Sequence, residues 1–150
     1  MKTVLRRLIL GCSEGDFRPQ SQSREDLLTT IRRVRKTYKL PYWICLLKPG
    51  FTNRVVQVGD PVFESWEPGF FRPRDPADGA VQIGPGGALA IANGDCPCVT
   101  IYDESEGILQ HLHAGYRCLI RKDPNEPNII EVGIREFPRL RAEDCMDPSR

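Results

Sequence analysis

Apolar positions recur along this chain with two different periods, and the change of period marks out its elements. Leu27, Leu28, Ile31, Val34 and Tyr38 follow helical spacing. Ser23 stands ready as an N-cap, Glu25 and Asp26 sit where the helix dipole favours negative charge, and Pro41 stops the run. The spacing therefore predicts an amphipathic helix over 24–39, with Arg24, Arg32, Arg33, Arg35, Lys36 and Lys39 on its outer face. Elsewhere the apolar runs are short, partly β-branched and bounded by Gly and Pro, which predicts strands. Val4–Leu10, Tyr42–Leu47, Val55–Val58, a run beginning at 77–81, Ala88–Ala92, Val99–Tyr102 and Ile108–His113 read this way, as does the alternating Ile130, Val132 and Ile134. The segment 67–76, with Pro68, Pro73 and Pro76, reads as a long irregular loop, whose Phe70 and Phe71 either pin it to the core or wall a pocket with Arg72 and Arg74. A polar tail is expected from Pro138.

The fold class expected from this pattern is α/β, with mixed sheets flanked by helices in a single domain across 1–150. Composition narrows the picture. The 21 basic and 20 acidic residues leave a formal charge of +1, so no global field draws the chain to nucleic acid or to an anionic membrane, and any anion site must be local. The arginines within the first apolar run are incompatible with a secretory signal, and the six cysteines at 12, 45, 96, 98, 118 and 145 are irregularly spaced. A reduced, cytoplasmic protein with free thiols is expected. Cys12, Cys45, Cys118 and Cys145 carry no partner pattern and read as structural.

Candidate chemistry concentrates between Gly94 and Arg117, which holds both histidines of the chain. Two apolar runs joined by the acidic turn Asp103-Glu104-Ser105-Glu106-Gly107 predict a hairpin, and a hairpin returns its outer ends to one edge. Cys96 and His113 should meet there, beside Asp95, as part of a zinc site or as a nucleophile with its base.

Ala77-Asp78-Gly79, Asp95-Cys96-Pro97 and His113-Ala114-Gly115-Tyr116-Arg117 resemble the successive signatures of the laccase-domain family. That family is also called the multicopper polyphenol oxidoreductase or bacterial purine nucleoside phosphorylase family. Its signatures read Ala-Asp-Gly or Ala-Asp-Ala, Ala-Asp-Cys-x-Pro and His-Ala-Gly-Trp-Arg-Gly, at matching intervals. The resemblance covers residues 50–118 well and extends to the helix at 24–39. It implies mixed sheets flanked by helices and a zinc ion, less readily copper, held by one cysteine and two histidines. Cys96 and His113 are then metal ligands and, with Arg117, the catalytic set, while Arg117 and Asp78 contact the substrate. The implied reaction is phosphorolysis of adenosine or inosine, with adenosine deamination beside it, so that the partners are a purine nucleoside and phosphate.

The chain departs from the pattern in several places. By spacing, the upstream Gln-Val-His-Gly motif falls on Gln57-Val58-Gly59-Asp60, with Gly59 where a histidine is expected. Tyr116-Arg117-Cys118 replaces Trp-Arg-Gly, the early Arg-x-Gly-Gly-Val-Ser signature is not legible in Gly11–Pro19, and family members run on beyond the last motif. The chain reads as a short, divergent member, and the competing expectation is a non-catalytic domain that binds metal or nucleoside without turnover. A polyphenol oxidase is the weaker third reading, since multicopper chemistry needs more than two histidines. One route could restore the ligand set. His111 and His113 leave the same face of a strand about 7 Å apart, so His111 can serve as the third metal ligand, with Asp60 as the next candidate.

Overall fold

The computed structural model describes residues 5–144, apart from 7, 11, 12, 14, 19–21, 121 and 122, and describes no side chains for 138–144. It is a mixed α/β domain in which two four-stranded sheets are stacked between helices. Helix α1 (Arg24–Tyr38) begins as its sequence predicts, with the Ser23 hydroxyl accepting from the Asp26 N–H at 3.1 Å. Its buried stripe of Leu27, Leu28, Ile31 and Val34 faces the first sheet. That sheet runs β3 (Phe63–Glu67), β4 (Phe70–Pro73), β1 (Trp43–Leu46) and β6 (Gly87–Ala90), with β1 parallel to both β4 and β6. Alternation along β1 then sets the layers. Ile44 and Leu46 pack with Phe70 under α1, whereas Leu47 just beyond the strand joins Val56, Ala77 and Ala80 of the second sheet.

The second sheet runs β2 (Val55–Gln57), β5 (Gly79–Ile83), β8 (Ile108–His113) and β7 (Cys98–Asp103). β2 and β5 are parallel, and the other two pairings are antiparallel. The expected hairpin is present as β7 and β8, its turn held by two backbone N–H groups, those of Ser105 and Glu106, donating to Asp103. Against the outer face of this sheet lie α2 (Tyr116–Leu119) and α3 (Ile129–Asp144). Leu112, Cys118 and Ile129 form one apolar contact there, and Val81, Ile108 and Phe137 form another. No described helix is long and apolar enough to cross a bilayer.

Four expectations are corrected. The segment 67–76 is not an irregular loop, because Phe70–Pro73 is a strand paired on both sides. Pro68 and Gly69 form the tight connection from β3, with Gly69 at φ 80°, a conformation open to glycine. Pro73 is tolerated because it ends the strand. Phe70 is fully buried, and Arg72 lies 5.1 Å over the Trp66 ring, so these side chains build core rather than a pocket. The run Ile130, Val132 and Ile134 is helical, not extended. Asn128 accepts from the N–H groups of Ile130 and Glu131, and Glu131 accepts in return from the Asn128 N–H, a reciprocal cap. Ile129, Gly133 and Phe137 are the buried positions, four apart, and Ile134 is left exposed. The backbone stays helical through Pro138 to Asp144, where a polar tail was expected. In the first segment, Leu5, Arg6 and residues 8–10 form no strand, Leu5 and Ile9 are exposed, and Leu8 and Leu10 are half-buried. The remainder of that expected strand lies outside the described residues.

Candidate metal and ligand site

The segment from Lys48 to Arg54 leaves the first sheet and enters the second, and it crosses the end of the second sheet where β5 begins and β8 stops. Asp78 precedes β5, and its carbonyl accepts from the His113 N–H, which ties the two residues together at that end. The Asp78 carboxylate has no solvent exposure. Its Oδ1 accepts from the N–H groups of Gly50 and Phe51 at 3.2 and 3.1 Å and from His113 Nδ1 at 3.0 Å. Its Oδ2 accepts from the Thr52 N–H at 2.5 Å and from the Thr52 hydroxyl at 2.9 Å. Three consecutive backbone donors thus form a nest around a side chain of the same protein. Phe51 and Asn53 take the left-handed conformation, φ 57° and 53°, which a bulky residue rarely adopts, and the bonds to Asp78 hold Phe51 there. Burial pulls the Asp78 carboxyl up, but the donors from Thr52, His113 and Phe51 together bring it below its ordinary value of 3.8.

His113 is buried between these groups and α2. With Nδ1 on Asp78, Nε2 is the nitrogen left for another partner. The Phe51 ring lies against the imidazole, centroids 5.7 Å apart. Gly115 leaves room for both rings, since a Cβ there would come within 2.8 Å of His113 Cε1 and 3.1 Å of Phe51 Cε1. Cys118 enters from α2 with no exposure, and its thiol hydrogen-bonds to Asp78. Burial first, then the Asp78 charge, push that thiol up to about 12, against the lowering effect of the Asn53 backbone N–H. Ligand-capable atoms of Asp78, His113 and Cys118 all lie within 4.8 Å of one another.

The other residues singled out in the sequence divide around this cluster. Cys98 is the cross-strand partner of His113, and Pro97 accepts from the Ala114 N–H, so Cys96 lies just past the end of the hairpin. It is half-buried and stands outside the three-residue cluster of Asp78, His113 and Cys118. His111 is on the same strand as His113, but its Nδ1 is 2.9 Å from the Thr100 hydroxyl and it lies outside the three-residue cluster. Asp78 lies within the cluster, bonded to the loop and to His113. Gly59 and Asp60 are at the wrong end: Val55 pairs with Gly79 beside Asp78, whereas Val58 donates to Val81, so Gly59 is four residues, about 13 Å, further along. Asp60 accepts there from the Gln57 N–H and is removed as a ligand candidate. The upstream residue that touches His113 is Phe51.

Arg117 makes no ion pair with any described residue, and neither Asp95 nor Asp78 holds it. Its guanidinium sits 5.5 Å over the Phe51 ring. The two side chains line an open cleft of about 130 Å³ with Thr52, Asn53, Ile120 and Glu126. Arg117, Tyr116 and Ile120 are exposed around it. By contrast Cys45, expected to be structural, is buried in the first sheet with its thiol pushed up to about 12 by burial alone. Cys45, Cys96, Cys98 and Cys118 are all free thiols. Cys12 and Cys145 lie outside the described residues.

Sequence reasoning missed Cys118 and Phe51 because both act through Asp78, far away in the chain. The one available signal was Cys118 next to Arg117, on a short helix that follows the motif containing His113. An imidazole, a thiol and a carboxylate, with a second thiol adjacent, are a donor set that suits a borderline-soft cation.

The comparisons with known proteins agree with the signatures. The model of the family described as multi-copper polyphenol oxidoreductase laccase matches residues 17–145. No curated protein matches. Among solved structures, a Neisseria meningitidis protein of the DUF152 family is similar at 21% identity with a TM-score of 0.46, over 65% of this chain and 36% of its own. The chain thus spans little more than a third of that neighbour's length. With three signatures in place and a match across most of its residues, this chain belongs to the multi-copper polyphenol oxidoreductase laccase family.

Proposed function

We propose that this end of the second sheet is a zinc-assisted site for phosphate-dependent cleavage of purine nucleosides. The observation that carries the reading is the buried pair of Asp78 and His113, 3.0 Å apart, beside a cleft edged by an arginine that makes no ion pair with a described residue. Arg117 is free to make charge-assisted contacts to a phosphate oxygen. The half-exposed face of Phe51 offers a stacking surface for a purine. Asp78 fixes the His113 ring, and the loop from Gly50 to Thr52 fixes Asp78 in turn. His113 and Cys96 would hold the zinc ion, which supplies positive charge where negative charge develops on phosphate and on the departing base.

The test is formation of ribose 1-phosphate from adenosine or inosine by the zinc-supplemented protein. The reading expects product that requires phosphate and is abolished by Cys96→Ser and by His113→Ala. Base release that is as fast without phosphate, or unchanged in both variants, would refute it.

A second reading, binding without turnover, is favoured by two specific observations. Phe51 rather than a second histidine lies against His113, and the cleft of about 130 Å³ is well below the roughly 300–1,000 Å³ of ordinary ligand sites. Under it, nucleoside or phosphate binds and no ribose 1-phosphate forms.

A further inference from the structure

We infer that Cys118 is a metal-binding residue, and that Asp78, His113 and Cys118 together seat one zinc-like cation, with Cys96 as the fourth donor. This rests on the metal reading above and deepens it, since it adds Cys118, which lies outside the family signatures, and gives Asp78 a direct metal contact.

Three observations carry it. The ligand-capable atoms of Asp78, His113 and Cys118 already lie within 4.8 Å of one another, and their residues are 0%, 3% and 0% exposed. The separation of Asp78 Oδ1 and His113 Nδ1, 3.0 Å, is close to the edge of about 3.4 Å that joins two ligands of a tetrahedral zinc ion with bonds of roughly 2.0–2.2 Å. The carboxylate is also held from behind by Gly50, Phe51 and Thr52, the kind of support that orients metal-binding carboxylates.

The proton balance is simple. In the metal-free protein, His113 Nδ1–H and the Cys118 thiol both direct a proton at Asp78. A divalent cation seated between them takes the place of both. The Cys118 proton leaves to solvent as the metal–sulfur bond forms, and the His113 proton moves to Nε2, so three ligands are gained for one proton released. Cys96, which precedes the Pro97 carbonyl that accepts from the Ala114 N–H next to His113, adds a second thiolate and releases a second proton. His111 takes no part, because its ring is engaged with Thr100.

The test uses the full chain, stripped of metal and reduced, titrated with Co²⁺ alone and then with Zn²⁺ against a chromophoric chelator. The parent should show a near-ultraviolet thiolate-to-cobalt band. Cys118→Ser should lose about half of it and bind zinc at least about ten-fold more weakly, as should Asp78→Asn, while His111→Ala matches the parent. Should Cys118→Ser fail to fold, Cys96→Ser decides the matter: a remaining thiolate-to-cobalt band supports Cys118, and its complete loss overturns the inference. No such band in the parent, or a folded Cys118→Ser with parental band and affinity, also overturns it. Nucleoside cleavage is read separately on the same samples. Cys118-dependent metal binding without cleavage leaves the inference standing and removes the proposed function. Cleavage with metal binding indifferent to Cys118 does the reverse.

Discussion

Two surfaces of this molecule carry arginines, and they differ in what occupies the charge. On α1, Arg32 bridges Glu25 and Glu67, Arg24 donates to the Trp66 carbonyl and lies 5.0 Å over its ring, and Arg35 donates to the Gly69 carbonyl. These three side chains tie the helix to the β3–β4 connection, so their charge is spent on the fold. Arg117 has only an aromatic ring beneath it and opens on a cleft. A row of positive charge bonded into the fold is therefore a weaker sign of a ligand than a cation at a cleft that pairs with no described carboxylate.

The largest break in this contrast comes from beneath Arg117. Asp78→Ala should destabilise the protein by about 3–5 kcal/mol, because it leaves buried N–H donors of the 50–52 loop and His113 without an acceptor. Chemical denaturation measures it, and a loss comparable to a surface substitution would show that the loop does not depend on Asp78. The same carboxylate sets an acid limit. Its folded value is lowered, so the unfolded chain binds the extra proton first, and the stabilisation is complete above about pH 4 and lost as pH falls through the folded value. Urea midpoints below pH 4 should show it, and Asp78→Asn should flatten that part of the profile.

Changes on α1 should be smaller. Arg24→Ala removes the stacked contact with Trp66 and should cost about 0.5–1 kcal/mol. Arg32→Ala should shift the thermal midpoint only slightly, and the shift should shrink at high salt, since Arg32 is exposed in both of its ion pairs and only Glu67 is half-buried. A large, salt-insensitive loss at Arg32 would mean that its bridge is rigid in a way the geometry does not suggest. The smallest stability effect is expected from Arg117→Ala, which breaks no ion pair with a described residue.

How far the sequence could be read depends on how local each cause is. α1 was legible because its cap, its acidic first turn and its apolar stripe lie within sixteen residues of chain. The hairpin of β7 and β8 was legible for the same reason. α3 was misread because Ile130, Val132 and Ile134 alternate, while the decisive reciprocal cap of Asn128 and Glu131 is just as local and was overlooked. β4 was hidden by its prolines, whose tolerance depends on where the strand stops. At the site, the hairpin placed His113 correctly at the strand end. The partners of His113 were not legible, since Asp78 is 35 residues away and the backbone donors that hold Asp78 are a further 26–28 residues upstream. Placing the upstream motif by spacing put Gly59 at the site, whereas the parallel register of β2 with β5 brings Phe51 there instead.

The most direct test of the account compares the phosphate dependence of ribose 1-phosphate formation in Arg117→Ala and Arg32→Ala. Removing a charge-assisted phosphate contact is worth about 1.5–3 kcal/mol, so Arg117→Ala should raise the phosphate KM by roughly ten-fold or more, with a much smaller change in the nucleoside KM. Arg32→Ala should leave both constants at the parental values. Equal shifts in both constants for Arg117→Ala, or a phosphate KM that responds to Arg32 as strongly as to Arg117, would contradict the assignment of the cleft beside Phe51 as the phosphate site.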